Sequence, residues 1–307
     1  MIDIIIPTYN SYDTIERTLN SINIQTIKDK VNIYIIDDCS DKSYDYLIDK
    51  FESLNINVFR MDKNNGPGVA RNKGLDISSG DYVFFIDSDD EIIHNVSLER
   101  MLNCFEDKDV DIVSGIVAVV YSDDDIRYIL NQERCLHAKM YRRSFIDKYK
   151  FRFNEKCSYR HEDFAFNFLC LYSNPNVKLL KYPIYKYNNT DDSLTTLKDI
   201  YSGFKSYELL CINTLWSIKE GEKRGFDKKI ITEKLNETLM FLYFTYEIYY
   251  NEPFKDELLD WTKALKKYYN DNRDIINHNK LSKINYDMFD RVYYYDHHIT
   301  WNDFINQ

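Results

Sequence analysis

Short apolar runs alternate with helical patterns through the first third of the chain, and this alternation is the strongest constraint on the fold. Residues 2–7, 31–36 and 82–86 are apolar enough to form buried strands. Between the first two runs, apolar residues recur every three or four positions over 13–24, which predicts a helix. Strand and helix alternation of this kind is typical of βαβ units and a mostly parallel sheet. The sequence therefore predicts an α/β fold.

The same patterns predict elements along the rest of the chain. Asp13 and Glu16 are expected to form a capping box at the start of the first helix. Further helices are expected over 44–53, 69–77, 95–105 and 162–172, and further strands over 57–60, 112–121, 126–130 and 177–187. Long helical patterns follow over 199–220, 227–250 and 254–270, with recurring aromatic residues that indicate an aromatic core. We therefore expect an α/β domain over 1–195 and a helical C-terminal region over 196–307.

Composition excludes several classes of protein. The 307 residues carry a net charge of −10, so the basic face that binds duplex nucleic acid is not expected. Aromatic residues reach 16%, which argues against a disordered chain. Six cysteines without a CxxC pair, no signal peptide and no long apolar run predict a cytoplasmic protein with reduced thiols. Peripheral contact with the inner face of a membrane and oligomerisation stay open.

Acidic residues follow two of the predicted strands. Asp87-Ser88-Asp89 comes after the strand over 82–86, and in an extended chain residues i and i+2 project to the same side. Two carboxylates facing one point suit Mg²⁺ or Mn²⁺, which also bind phosphate oxygens. Asp37 and Asp38 end another strand, where they either share this crevice or cap a helix that starts near Ser43. An acidic turn without an ion is the alternative for Asp87 and Asp89.

Half of the eight glycines lie between residues 66 and 80. The stretch 64–74 combines glycines with Arg71 and Lys73, so backbone N–H groups, a helix N-terminus and two cations could meet an anion there. A tight turn followed by a helix with solvated Arg71 and Lys73 is the alternative. The stretch matches neither a P-loop nor a GxGxxG motif, which disfavours Walker-type nucleotide hydrolases and dehydrogenases.

These motifs, in this order, resemble the inverting family 2 glycosyltransferases of the GT-A fold. The matching segments are Pro7-Thr8-Tyr9-Asn10, Asp37-Asp38-Cys39-Ser40, Gly66 through Gly74, Gly80-Asp81, Asp87-Ser88-Asp89-Asp90, the segment from His137 to Arg143, and His161-Glu162-Asp163. The resemblance covers about residues 1–195. It implies a Rossmann-like nucleotide-diphospho-sugar transferase domain, followed here by the helical C-terminal region.

The resemblance also implies roles for the matching residues. Nucleotide-sugar binding falls to Pro7, Thr8, Tyr9, Asn10, Asp37, Asp38, Asn65, Gly66, Arg71, Asp87, Ser88 and Asp89. Among these, Asp87 and Asp89 would hold Mn²⁺ or Mg²⁺, and Asp163 or its neighbour Glu162 would act as the catalytic base. Cys39 replaces the usual glycine of its segment, and Asn188 stands where many relatives carry arginine, so one phosphate contact is expected to be missing.

The implied activity is transfer of a hexose or N-acetylhexosamine from a UDP-sugar to a hydroxyl of a glycan, lipid-linked or protein-linked acceptor, as in polysaccharide biosynthesis. A binding module without turnover and a sugar nucleotidyltransferase are the alternatives, although the latter needs a glycine-rich basic loop after the first strand. Glu162 and Asp163 also suit a simple first helical turn, because acids there are favoured by the helix dipole. His161 is read as a packing residue rather than a ligand, and His297 and His298 as surface residues.

Overall fold

A computed structural model describes residues 1–122, 125–130, 135–188, 199–276 and 299–307. Its chain divides into two compact units. Unit 1 comprises Met1–Asn167 and Pro175–Thr196, and unit 2 comprises Phe168–Asn174 and Leu197–Gln307. The expected division near residue 195 thus lies beside one unit boundary, while a short segment around residue 170 groups with the C-terminal unit.

The described part of unit 1 is built on a nine-stranded mixed sheet. Its strands are β1 (Ile2–Thr8), β2 (Val31–Asp37), β3 (Asn55–Arg60), β4 (Tyr82–Phe85), β5 (Glu91–Ile92), β6 (Ile112–Ser122), β7 (Asp125–Leu130), β8 (Lys139–Arg142) and β9 (Val177–Asn188). Their order in the sheet is β3-β2-β1-β4-β8-β6-β9-β5, with β7 beside β6. Strands β3, β2, β1 and β4 are parallel, whereas β8 runs antiparallel to β4 and to β6. The predicted α/β fold is confirmed.

Helices connect these strands. They are α1 (Ile15–Asn23), α2 (Tyr46–Lys50), α3 (Pro67–Ile77), α4 (Ser97–Asn103), α5 (Arg143–Tyr149) and α6 (Glu162–Tyr172), with short 3-10 turns at Lys28–Lys30 and Cys104–Glu106. The capping box expected from Asp13 and Glu16 is wrong: Thr14 is the N-cap, and no side chain bonds the first turn. The first turn instead donates the N–H groups of Thr14 and Ile15 to the carbonyl of Ser11. Helix α2 is shorter than expected.

The parallel strands pack their apolar residues into the core and so fix where the strands end. Every residue of β1 is buried, and full burial of one aliphatic side chain is worth about 1.5–3 kcal/mol. In the register of the sheet, Thr8 lies opposite Asp37, and Ile5 lies opposite Phe85. The carboxyl ends of β1, β2 and β4 therefore share one edge, where ligands of open α/β sheets bind.

The strands expected over 112–121 and 126–130 are present, and they pair antiparallel as β6 and β7. The connecting residues Asp123 and Asp124 lie outside the described residues, as do His297 and His298. All six cysteines are free thiols, three buried and three half-buried. Within the described segments, we find no helix whose length and apolar character would let it cross a bilayer.

Unit 2 is helical, as predicted. Its described helices are α7 (Ile200–Lys223), α8 (Lys228–Ile248), α9 (Glu257–Asn272) and α10 (Trp301–Asn306), with a 3-10 turn at Arg273–Ile275. Side chains of Asp199 and Asp227 cap α7 and α8 by accepting backbone N–H groups. The expected aromatic core is present: the Phe204 ring is fully buried and lies 5.1 Å from the Trp261 ring.

A lysine occupies the core-facing side of α9. Lys266 is only 3% exposed, and its Nζ has no hydrogen-bond partner among the described residues. The ammonium group lies 3.9 Å from the centre of the Phe304 ring. Burial lowers the pKa of Lys266 to about 8, although the Cys211 thiol opposes this shift. Because the unfolded value is near 10.4, the folded state bears the full cost of the buried charge below pH 8.

Replacing this lysine is expected to stabilise unit 2. Lys266→Met keeps the length of the side chain and removes the buried charge, so the free energy of unfolding at pH 7 should rise by about 1–3 kcal/mol. Between about pH 8 and 10.5 the folded chain loses the Lys266 proton before the unfolded chain does, and the gain should therefore shrink. Urea denaturation at pH 7 and pH 10 measures both effects.

The adjacent Lys267→Met is the control, since Lys267 is exposed and pairs with Asp271. It should change stability by less than about 1 kcal/mol at either pH. Destabilisation by Lys266→Met, or an equal gain at both pH values, would contradict the assignment of a buried ammonium cost.

Candidate active site

Two acidic residues at the end of β2 hold the loops around them. Asp37 has no exposed surface; its carboxylate accepts a hydrogen bond from the Ser40 backbone N–H at 2.8 Å and pairs with Arg60 at 3.1 Å. Asp38 accepts the backbone N–H groups of Asn65 at 2.9 Å and Gly66 at 2.7 Å. Neither carboxylate caps α2, so the alternative of a helix cap is wrong. Both organise loops instead, and Asp38 fixes the glycine loop, residues 64–68.

The segment after β1 divides into buried and exposed residues. Pro7 and Thr8 are buried, and the Thr8 hydroxyl donates to the carbonyl of Ile6. Tyr9 is 50% exposed, and Asn10 is exposed with a positive φ of 51°. The side chains of Tyr9 and Asn10 are therefore the ones in this segment that a ligand could reach.

Arg71 on α3 lies between two carboxylates. Its guanidinium group lies 2.6 Å from the Asp87 carboxylate and 2.6 Å from the Glu162 carboxylate, and the residue is only 4% exposed. Although burial opposes charging, the two carboxylates raise the pKa of Arg71 above its ordinary value. The alternative of a solvated Arg71 is wrong. The expected role of Arg71 in nucleotide-sugar binding stays a prediction.

Residues 87–90 form a turn rather than an extended segment, and we call them the acidic turn. Strand β4 ends at Phe85, and the Asp90 N–H donates to the Asp87 carbonyl at 3.1 Å. A turn brings residues i and i+3 together, so the extended geometry that paired Asp87 with Asp89 is wrong. Ligand atoms of Asp87, Asp90 and His137 instead all lie within 4.8 Å of one another. Asp89 as a metal ligand stays a prediction.

The sequence did not reveal the role of His137. It lies just before β8, and its Nε2 is 3.5 Å from the Asp87 carboxylate. Its ring stacks on the Tyr185 ring at 4.7 Å. The motif from His137 to Arg143 matched the family, but only the antiparallel pairing of β8 with β4 brings His137 to the acidic turn.

Strand β9 supports the acidic turn from the other side. The Tyr185 hydroxyl donates to Asp90 at 2.6 Å. Asn188 donates its backbone N–H to Asp90 at 2.9 Å and its side-chain amide to the Asp89 carbonyl at 2.9 Å. Asn188, which departs from the arginine of many relatives, thus holds the turn in place. Ser88 is buried, and its hydroxyl donates to that of Ser11.

The acidic turn concentrates negative charge in a buried place. Burial raises the pKa of Asp90 to about 8 and that of Asp89 to about 6, and the Asp87 charge adds to both shifts. Burial also acts on Asp87, but Arg71 and His137 outweigh it and hold the pKa of that carboxyl below its usual range. Two carboxylates and an imidazole form a ligand set that suits Mn²⁺ or a similar divalent cation.

Glu162 and Asp163 begin α6 with different surroundings. Glu162 is buried against Arg71, and burial raises its pKa to about 7 although Arg71 opposes the rise. Asp163 is half-buried and remains accessible. His161 adopts a positive φ of 58°, and its carbonyl accepts the Ala165 N–H. Of the two predicted bases, Asp163 is the more exposed.

Removing the Arg71 guanidinium should destabilise unit 1. Arg71→Met leaves the buried Glu162 carboxylate and the half-buried Asp87 carboxylate without their cation, which should lower the free energy of unfolding by about 3–5 kcal/mol. Adding Glu162→Gln to this variant should restore part of the loss. Urea denaturation measures both changes.

Arg152→Met is the matched control, because Arg152 is 39% exposed in its ion pair with Asp76. We expect a loss below about 1 kcal/mol for this surface pair. If Arg71→Met costs no more than Arg152→Met, the buried bridge does not stabilise the unit.

The sequence relationships agree with this geometry. Residues 3–172 match the profile of the family described as "Glycosyl transferase family 2". The poly(ribitol-phosphate) beta-N-acetylglucosaminyltransferase TarP of Staphylococcus aureus is 31% identical over 176 residues, which is 50% of this chain and 52% of TarP. The chain thus spans about half the length of this curated relative.

Solved structures share the fold. The crystal structure of S. aureus TarS 1–349 in complex with UDP-GlcNAc superimposes with a TM-score of 0.68 at 21% identity, covering 87% of this chain and 81% of that one. The mannosyltransferase PcManGT from Pyrobaculum calidifontis in complex with GDP-Man and Mn²⁺ gives a TM-score of 0.54 at 16% identity, covering 71% of this chain and 64% of that one. The GT-A fold with a helical C-terminal region is confirmed. Because the family profile matches more than half of its residues, the chain belongs to glycosyl transferase family 2.

Proposed function

We propose that this protein is an inverting glycosyltransferase that moves N-acetylglucosamine from UDP-GlcNAc to a hydroxyl of a ribitol-phosphate chain. The observation that carries the proposal is the bridge through Arg71, which joins the acidic turn at Asp87 to the start of α6 at Glu162. It connects a candidate diphosphate site with an accessible carboxylate, Asp163. Similarity to TarP and to the TarS complex with UDP-GlcNAc supports this donor and acceptor.

A divalent cation fits the group formed by Asp87, Asp90 and His137. The ligand atoms lie within 4.8 Å of one another. Burial raises the pKa of Asp90 to about 8, and the charges of Asp87 and Asp89 add to the rise, so a bound cation would stabilise the ionised carboxylate. When bound, the ion would supply Lewis-acid stabilisation of charge on the departing diphosphate. Tyr185 and Asn188 orient Asp90 for this role through two hydrogen bonds.

The residues of the chain divide the remaining chemistry between binding and proton transfer. Tyr9 and Asn10, which follow β1 and are exposed, bind the nucleotide in this scheme. Asp163 accepts the proton of the acceptor hydroxyl as its oxygen attacks the anomeric carbon. The bond from that carbon to the diphosphate oxygen breaks, the electron pair leaves with UDP, and attack opposite the leaving group inverts the configuration. The proton then passes from Asp163 to water.

Asp163→Asn tests the base directly. The amide cannot accept the proton, so turnover should fall by about 10²–10⁴-fold while UDP affinity stays within about twofold. Release of UDP from a panel of nucleotide sugars, with and without ribitol-phosphate oligomers, measures turnover, and calorimetric titration with UDP measures affinity.

Asp147→Asn is the control, since Asp147 is an exposed acid on α5, and it should leave both quantities unchanged. Full turnover by Asp163→Asn would contradict its assignment as the base. If the unmutated chain binds UDP but cleaves no donor in the panel, a binding module without turnover is the better description. A sugar nucleotidyltransferase would instead release pyrophosphate from a nucleoside triphosphate.

The group formed by Asp87, Asp90 and His137 leads to a separate prediction about stabilisation by ligands. UDP with Mn²⁺ should raise the melting temperature more than UDP alone, because a bound ion lowers the Kd for UDP. A ligand at 100 times its Kd stabilises the folded state by about 2.7 kcal/mol. Asp90→Asn and His137→Gln should each remove most of the Mn²⁺-dependent part, whereas Asp89→Asn should keep it. Differential scanning fluorimetry with and without a chelator measures the shift.

The comparison with Asp89→Asn decides between the two ligand sets. If Asp89→Asn removes the Mn²⁺-dependent shift and Asp90→Asn keeps it, the ion is held by Asp87 and Asp89, as the extended-chain argument predicted. Equal shifts in all three variants would show that the ion binds away from the acidic turn.

A further inference from the structure

Helix α6, which carries Asp163, is reached by a connector, residues 153–161, that contains neither strand nor helix. An irregular segment of this length has no ladder of its own hydrogen bonds, so other parts of the chain must fix its path. In this protein α3 and the glycine loop at its start supply several of those contacts.

Asn72 holds the beginning of the connector. Its side-chain amide donates to the carbonyl of Phe153 at 3.1 Å and to the Glu155 carboxylate at 3.0 Å. Its side-chain oxygen accepts the Phe153 N–H at 2.8 Å. Asn72 is only 3% exposed, so these bonds form away from competing water.

Ser158 holds the end of the connector against the glycine loop. Its hydroxyl donates to the Asn65 carbonyl, and its own carbonyl accepts the Gly68 N–H at 3.1 Å. Ser158 is buried, with 2% of its surface exposed. The contact is close: a Cβ at Gly66 would lie 2.6 Å from the Ser158 hydroxyl oxygen, and Gly66 already has a positive φ of 88°.

The same surface continues onto α6. A Cβ at Gly68 would lie 3.1 Å from Ser158 Cβ and 3.0 Å from Glu162 Cγ. The first turn of α3 therefore contacts both the last part of the connector and the residue next to Asp163. Asp38 in turn fixes the glycine loop through the N–H groups of Asn65 and Gly66. A chain of buried contacts thus runs from the end of β2 to the start of α6.

We propose that Ser158 is a positioning residue that sets the location of the Asp163 carboxylate through its hydrogen bonds to the glycine loop. The inference rests on the proposed function, because it assigns Asp163 as the base. Only four residues separate Ser158 from Asp163, and Glu162 is fixed by Arg71 at 2.6 Å. Asp163 and the glycine loop are thereby held in a fixed relative position. A misplacement of about 1 Å at a reacting centre can cost about 10²-fold in rate.

Ser158→Ala removes the hydroxyl bond and keeps the backbone contact with Gly68, so folding should be retained. We expect kcat for sugar transfer to fall about tenfold, with KM for the donor and the Kd for UDP changed less than twofold. In the Asp163→Asn background, Ser158→Ala should cause no further loss of turnover, because the residue acts through the base. Long incubations with radiolabelled donor measure the residual rates.

Ser206→Ala is the matched control, since the Ser206 hydroxyl donates to a backbone carbonyl within α7. It should leave kcat unchanged in both backgrounds. A merely structural role for Ser158 would lower the melting temperature without the selective loss of kcat.

Three outcomes would overturn the inference. Weaker UDP binding by Ser158→Ala would show that the Ser158 hydroxyl serves the glycine loop and UDP binding rather than the position of Asp163. An unchanged kcat would show that the hydroxyl does not position the base. An equal fractional loss in both backgrounds would show that Ser158 acts independently of Asp163. Failure of the proposed function looks different, since Asp163→Asn would then keep full turnover whatever residue stands at position 158.

Discussion

The candidate site depends on one buried cation shared by two carboxylates. Arg71 reaches Asp87 after β4 and Glu162 at the start of α6, at 2.6 Å in each case. Removing a carboxylate from water is costly, and a partner of opposite charge at hydrogen-bond distance offsets much of that cost. Arg71 is suited to this because its planar group presents several donors in fixed directions. The bridge joins two segments that lie far apart in the sequence.

Parallel strand register supplies the frame for that bridge. Because β1 pairs in register with β2 and with β4, the chain leaves all three strands at one edge of the sheet. Helix α3 packs beside this edge. Its residues Arg71 and Asn72, together with the glycine loop, contact the connector and α6. The irregular connector and α6 can then be placed by side chains of α3 rather than by further strands. The sheet thus determines where the site is, and α3 determines how its parts are arranged.

Much of this arrangement was predictable from sequence, because the informative signals were local. Apolar runs identified β1, β2 and β4, and polar residues after them identified the edge that carries Asp37 and Asp87. Two features were not predictable, since each depends on three-dimensional context. The turn at 87–90 brings Asp90 toward Asp87, and the pairing of β8 with β4 brings in His137. Neither a hydrogen bond inside a turn nor an antiparallel strand inserted into a parallel sheet leaves a periodic pattern.

The structure also separates the exposed residues of the candidate site from the buried residues that hold its loops together. Sequence similarity assigned Asp37, Asp38 and Arg71 to ligand binding, yet the carboxylates of Asp37 and Asp38 bond backbone N–H groups and Arg71 is buried between acids. Tyr9, Asn10 and Asp163, in contrast, keep accessible side chains. Buried polar groups of the first kind are expensive to leave unpaired, so a substitution there disturbs the loops before it disturbs a ligand. A family motif therefore includes residues that hold a site together as well as residues that a ligand can reach, and burial distinguishes the two kinds.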